Sequence, residues 1–284
     1  MKQLIWATVI WAFSFSLIGE YLSGRVDPYF SAAIRILFAA LFFLPFALRK
    51  RVPSKVALRI SVIGAIQLGM MYVFYFKSFE LLTVPEVLIF TTLTPIYVTL
   101  FHDIWNRRIS LHHLWSAIIA VTGALVIRWG SLDRFYLVGI LSLQGCNLCF
   151  AFGQIAYKNL KEDASEKSLA SFFYFFIGAL IPPTTAWLFL GSAKYPTELH
   201  QLLILVWLGI VASGIGYFLW NRGAKKTNAG ALAVMNNLLI PAGLLVNLLI
   251  WGHNTNLIRF FIGGGLIMLS LYLNQRWRNK KVAH

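Results

Sequence analysis

The sequence predicts an all-α membrane protein, with ten transmembrane helices arranged as two inverted five-helix repeats. Three observations carry that prediction. Ten apolar runs are long enough to cross a bilayer, basic residues crowd into every second loop, and the two halves of the chain align with each other. Composition identifies the solvent. Of 284 residues, 58% are hydrophobic and only 12% charged, where a soluble domain carries roughly 25% charged residues. Mean hydropathy is +0.70. No soluble fold of this size could hide so much apolar surface, so the surroundings must be lipid.

A spanning helix needs about 20 residues, within a range of roughly 17–25. The runs 3–22, 30–48, 58–77, 84–103 and 113–129 form the first half. The runs 136–157, 168–191, 201–221, 228–251 and 257–275 form the second. The first run is too long for a signal peptide, holds Trp6 and Trp11, and lacks a small-x-small cleavage site, so it reads as a retained helix. The third and fourth are separated only by the tight stretch 77–85. The sixth contains Cys146 and Cys149, a spacing that suits redox or metal chemistry. No His or further Cys lies near them, and two small fillers on an apolar helix are the expectation. The predicted units are repeat 1 at 1–130, repeat 2 at 134–275 and a basic cytoplasmic tail at 276–284.

The net charge of +15 does not point to nucleic acid, because the basic residues sit in short loops between apolar runs. With the N-terminus inside, eighteen fall on the cytoplasmic side, in the clusters 49–59, 107–108, 158–167, 222–226 and 276–281 together with Lys2. Six fall outside: Arg25, Lys77, Arg128, Arg134, Lys194 and Arg259. Arg35 lies within the second run. Basic loops face the cytoplasm and its anionic lipid, so this alternation predicts both termini inside a bacterial inner membrane.

The halves align at a slowly drifting offset. Trp11-Ala12-Phe13 matches Phe150-Ala151-Phe152, Leu44-Pro45 matches Ile181-Pro182, Gly64 matches Gly209, Tyr72 matches Tyr217 and Pro95 matches Pro241. Five helices per repeat is an odd number, so the second repeat enters from the opposite side. Inverted repeats have two nearly equivalent packings, one open to each side, with a substrate site between them near the midplane.

The chain resembles the drug/metabolite transporter superfamily, in its EamA-type permease branch. The resemblance rests on V-I-W-A-F-S-F at 9–15, Arg35, F-Y-F-K-S-F-E-L-L-T-V-P-E at 74–86, T-L-T-P at 92–95 and V-T-G-A-L-V-I at 121–127. The second half adds L-G-I-V-A-S-G-I-G-Y-F-L-W-N at 208–221, L-L-I-P at 238–241 and I-G-G-G-L-I-M at 262–268. Members often carry Gly-Glu before the last helix of each repeat, where this chain has Asn106-Arg107 and Gly252-His253. A role for that Glu is therefore not implied here. The resemblance implies a transporter and a cavity walled by segments 1, 3, 4, 6, 8 and 9.

Polar stripes mark candidate site residues, since a polar face inside lipid needs a partner helix or water. Gln144, Asn147 and Gln154 share one face of segment 6, and Asn236 and Asn247 share one of segment 9, with Asn237 adjacent. A wet cavity and interhelical hydrogen bonding both use amides this way; the stripe as a whole favours the cavity. Trp11, Ser14, Tyr72, Tyr75, Tyr217 and Trp220 complete the expected cavity, with aromatic walls suited to a small amphipathic solute. Glu20, Arg35 and Glu86 are candidates for a gate or coupling site, with Glu20 and Arg35 expected to pair; a structural ion pair is the other reading. Pro95 and Pro241 are candidate hinges, because proline removes a helix hydrogen bond. His102, His112 and His113 lack the spacing of a metal site, and no nucleophile or phosphate motif is present, so neither enzyme activity, metal nor cofactor is expected.

The expected function is export of a small metabolite, an amino acid or related compound, by alternating access. Transport would be passive or coupled to a proton or counter-solute, by a monomer or homodimer. Drug efflux or uptake of a nucleotide-like metabolite is the alternative on the same fold. A non-transporting assembly or sensor protein is the alternative from another class.

Overall fold

The computed structural model describes residues 2–107, 134–160, 168–227 and 229–251, with isolated positions at 262, 265, 269 and 272. The described chain is all helix. The first span is α1 (Lys2–Leu17) continued by a π-helical turn, Ile18–Leu22; α2 is Pro28–Arg49. The third joins α3 (Ser54–Gly64), a π turn at Ala65–Met70 and α4 (Met71–Phe79). The fourth is α5 (Val84–Thr91) and α6 (Thr94–Trp105). In the second half, α7 is Arg134–Lys158 and α8 Ser168–Leu190. The next span joins α9 (Leu199–Trp207), a π turn at Leu208–Ile215 and α10 (Gly216–Lys225), and α11 is Ala229–Trp251.

Seven spans among the described residues are long and apolar enough to cross a membrane, and α11 adds 23 residues where the ninth run was expected. The expected run 113–129 lies outside the described residues, as does 257–275 apart from the isolated positions. Outward positions such as Leu48, Leu141, Leu188, Phe189 and Leu249 are exposed, as a lipid-facing surface requires.

Local signals explain the helix starts. Asp27 caps α2 by accepting from the Phe30 amide at 2.8 Å, with Pro28 in the first turn. The other oxygen of that carboxylate accepts from the Ser192 amide at 2.6 Å, tying the two halves at one end. The fourth span breaks at Thr92 and Leu93 because Pro95 has no amide hydrogen for the Thr91 carbonyl. The helix carrying Pro241 runs from Ala229 to Trp251 without such a break. The two proline sites are thus unlike in backbone, although they match in sequence.

Contacts between the halves pair off. The first span packs on α10 and α11, while α7 packs on the third span and on α6. The π turn of the second half lies on α2, and that of the first half lies on α8. α2 also packs on α8, and α11 packs on α5 and α6. Two glycines matched between the halves sit at close crossings. A Cβ on Gly64 would collide with the Phe175 carbonyl, and one on Gly209 would sit 2.7 Å from the Arg35 carbonyl.

Candidate functional site

A cavity of about 60 Å³ lies between the two halves, lined by residues of both. It is met near the middle of several spans: by Trp11, Ser14 and Phe15 of α1, by Tyr72 and Tyr75 of α4, by Asn147 and Phe150 of α7, and by Tyr217 of α10. Thr91 and Thr94 flank it at the break before Pro95.

Six of the fourteen lining residues are aromatic. The Trp11 ring lies 4.9 Å from Tyr217, 5.0 Å from Trp220 and 5.8 Å from Phe150. Tyr72 meets Tyr217 edge-on at 6.2 Å, and Phe15 meets Tyr75 edge-on at 5.5 Å. Edge and tilted contacts suit ring quadrupoles. Trp11 is held by its Nε1, which donates to the Ala212 carbonyl at 2.8 Å. Ala212 belongs to a π turn, whose wider winding disturbs the regular backbone ladder. Gly216 makes room for this indole: a Cβ there would lie 2.7 Å from Trp11 Nε1.

Arg35 supplies the charge. It is 1% exposed and borders the cavity. Its Nε donates to Ser213 Oγ at 2.8 Å, and that hydroxyl lies 2.9 Å from the Tyr72 hydroxyl. The guanidinium carbon stands 4.3 Å from the Tyr72 ring centroid and 5.6 Å from that of Phe76. Among the described residues its Nη1 has no acceptor, and no acidic side chain pairs with it. A cation at this depth costs about 2.5–3.5 kcal/mol on insertion scales. Stacking on a desolvated ring returns about 2 kcal/mol, so the charge is only partly compensated.

A second polar group lines the cavity. Asn147 Oδ1 accepts from Thr94 Oγ1 at 3.1 Å, and its Nδ2 donates to the Phe90 carbonyl at 3.0 Å and to Gln144 Oε1 at 3.2 Å. Tyr97 also donates to Gln144, at 3.2 Å.

The expected cavity residues therefore divide. Trp11, Ser14, Tyr72, Tyr75, Asn147 and Tyr217 border the cavity. Trp220 is buried behind Trp11, and Gln144 supports Asn147 from the side. Asn236 is not at the cavity: its amide donates to Gln154 Oε1 at 3.2 Å and accepts from Gln154 Nε2 at 3.5 Å, a clasp between α7 and α11. Asn247 likewise bonds Ser16 Oγ, at 3.4 Å. The side chains of Asn237 and Pro241 lie outside the described residues, as do His112 and His113.

The acidic candidates need correction. Arg35 turns into the bundle toward Ser213 and does not pair with Glu20, which sits half-buried in the π turn of the first span. Glu86 closes a capping box: its Oε2 accepts from the amide and the hydroxyl of Thr83, both at 2.8 Å. It is buried at the start of α5, and neither it nor Glu20 borders the cavity.

Sequence reasoning missed Ser213, Met71, Thr91 and Leu239. Ser213 lies in a run of small residues with nothing to set it apart, and the others are ordinary membrane residues. It also missed Asp27, although Asp-Pro before an apolar run is a legible helix start. Cys146 and Cys149 are free thiols, and Cys146 lines the cavity.

Comparison with known proteins gives this architecture its relatives. The model of the EamA-like transporter family matches residues 3–129 and 137–275. A probable biotin transporter of Pseudomonas aeruginosa is 45% identical over 283 residues, covering 99% of each chain. Biotin transporters of Salmonella typhimurium and Escherichia coli are 45% and 44% identical over 279 residues, covering 98% of this chain and 93% of theirs. A solved crystal structure that is 19% identical, covering 98% of both chains, superposes with a TM-score of 0.67 and shares the fold. The chain belongs to the EamA-like transporter family of the drug/metabolite transporter superfamily, and it is a multi-pass membrane transporter rather than an enzyme.

Proposed function

We propose that this protein carries biotin across the bacterial inner membrane by alternating access. The observation that carries the reading is the set of relatives, 44–45% identical over nearly the full chain, that are named biotin transporters. The lining suits such a solute: aromatic rings for an apolar body, hydroxyls and an amide for its polar groups, and a buried cation. The amino acid expected from sequence has no such support, and biotin takes its place.

Alternating access rests on ten helices in two inverted repeats, with both termini cytoplasmic. Three observations support the inversion: the paired contacts between halves, the π turns in the third and eighth spans, and the two glycine crossings. The π turns at Ala65–Met70 and Leu208–Ile215 overlap at the offset that brings Tyr72 onto Tyr217. Coupling to a proton or counter-solute belongs to the proposal, as does the monomer or homodimer state. If Glu20 or Glu86 couples protons, replacing it with Gln abolishes pH-driven flux; undiminished gradient dependence removes that role.

Counterflow in proteoliposomes tests the reading. Labelled biotin should enter against unlabelled biotin with saturation, and amino acids should not compete. Exchange of amino acids, drugs or nucleotides without exchange of biotin would replace biotin by that solute class. No exchange of any solute would favour an assembly or sensor role.

A further inference from the structure

We propose that Arg35 is the anion anchor of the cavity: its terminal guanidinium nitrogens hold the carboxylate of an amphipathic monocarboxylate substrate, so that only the ionised acid is recognised. This deepens the biotin reading and rests on it for the identity of the acid.

Four observations converge. First, Arg35 is a buried cation at the cavity with no acidic partner and an unpaired Nη1 among the described residues. Buried ions need a counter-charge, and a bound carboxylate would bring one. Second, the guanidinium is already oriented. Ser213 accepts from Nε, and the Tyr72 ring lies beneath. What is left is the end-on edge, which can present two parallel N–H donors to a carboxylate. Third, the backbone is fixed in depth, because Gly209 brings its span against the Arg35 carbonyl. Fourth, of the two matched glycine crossings only one carries the anchor. The glycine matched to Gly209, Gly64, meets on α8 the carbonyl of Phe175, whose side chain is uncharged. One charged end in a cavity between paired halves gives the substrate one orientation. The apolar body would lie along Trp11 and Tyr217, and its far polar end would reach Asn147 and Thr94.

The test compares biotin with biotin methyl ester as competitors of labelled biotin, using the full-length protein in proteoliposomes. In the wild type the ester should compete at least about tenfold more weakly than the acid. Arg35→Gln should lower apparent affinity for the acid by about 10- to 150-fold, the range for a lost hydrogen bond to a charged group. It should leave the ester unchanged, so that the preference disappears. Arg35→Lys keeps the charge without the fork and should restore part of it. A merely structural role would reduce the amount of folded transporter and leave the acid-to-ester ratio intact. Retention of that ratio in folded Arg35→Gln overturns the proposal. Equal competition by acid and ester in the wild type overturns it without any variant.

If the wild type moves no biotin, the biotin reading fails separately. Thermal stabilisation by lipoate, octanoate and their methyl esters then decides the anchor. Stabilisation by an acid that is lost in Arg35→Gln sustains it, and stabilisation by none overturns it.

Discussion

Two polar clusters lie inside this bundle, and they differ in one respect that separates binding from packing. In the clasp of Gln154 with Asn236, each amide both donates and accepts, and Asn236 Nδ2 also reaches the Leu232 carbonyl at 3.0 Å. Around Arg35, a donor is left over beside empty space. Both clusters use residue types that lipid penalises, and both would be flagged by a search for polar residues in apolar runs. Satisfaction tells them apart. A satisfied pair holds helices together, whereas an unsatisfied group at a cavity awaits something from outside. The pair Gln67 and Asn221 lies between these cases. One bond of 2.9 Å joins them, and Gln67 Oε1 and Asn221 Nδ2 remain unmatched. Those two groups are complementary, and neither residue lines the cavity, so the pair belongs with the clasp.

The largest expected effect comes from filling the cavity while leaving every hydrogen bond of the clasp alone. Ser14 borders the cavity and makes no hydrogen bond to the described residues. Ser14→Leu should cut transport by roughly 10- to 200-fold, the range for a misfitting group in a pocket, with an unchanged melting temperature. A normal transport rate in Ser14→Leu would mean that the cavity is not on the substrate path.

The clasp should respond in the opposite sense. Asn236→Leu leaves Gln154 without its partner and should cost about 0.6–1.7 kcal/mol of stability, read as a lower melting temperature with unchanged substrate affinity. Replacing both partners by Leu should recover most of that loss, because removing a matched pair leaves no orphaned group. A changed affinity in the double variant would place the clasp in the substrate path.

The smallest effect sharpens the cavity side. Tyr72→Phe keeps the ring under Arg35 and removes the hydroxyl beside Ser213. Loss of one neutral hydrogen bond, about 0.5–1.5 kcal/mol, should weaken apparent affinity only a few-fold. An effect as large as that of Arg35→Gln would make the hydroxyl, not the guanidinium, the main contact.

Much of the fold was legible because lipid demands long apolar runs, and those runs are hard to miss. Eight of the ten expected spans fall on described helices. The cavity was legible in part, through residues such as Trp11, Tyr72 and Tyr217, which the repeat alignment singled out. The amide stripe shows the limit. Asn147 and Gln154 lie on one face of one helix, yet only Asn147 meets the cavity. Spacing reports the face of a helix, not the turn at which that face meets empty space. Glu86 shows another limit. Thr83-x-x-Glu86 is a readable capping box, and a carboxylate near a membrane surface invites a functional reading all the same. Nothing in residue spacing foretold the π turns.

Those π turns set the frame in which the sequence can change. Each fits a surplus residue into an otherwise regular helix, so the phase of everything beyond it depends on that surplus. Rewinding 65–70 as ordinary α-helix with no residue removed would rotate the rest by about 100°. Tyr72 and Tyr75 would swing away from the cavity, although no side chain had been altered. The same would hold for 208–215 and Tyr217. Point substitutions can tune this transporter one contact at a time, but a change in the winding of one turn re-aims a whole wall at once.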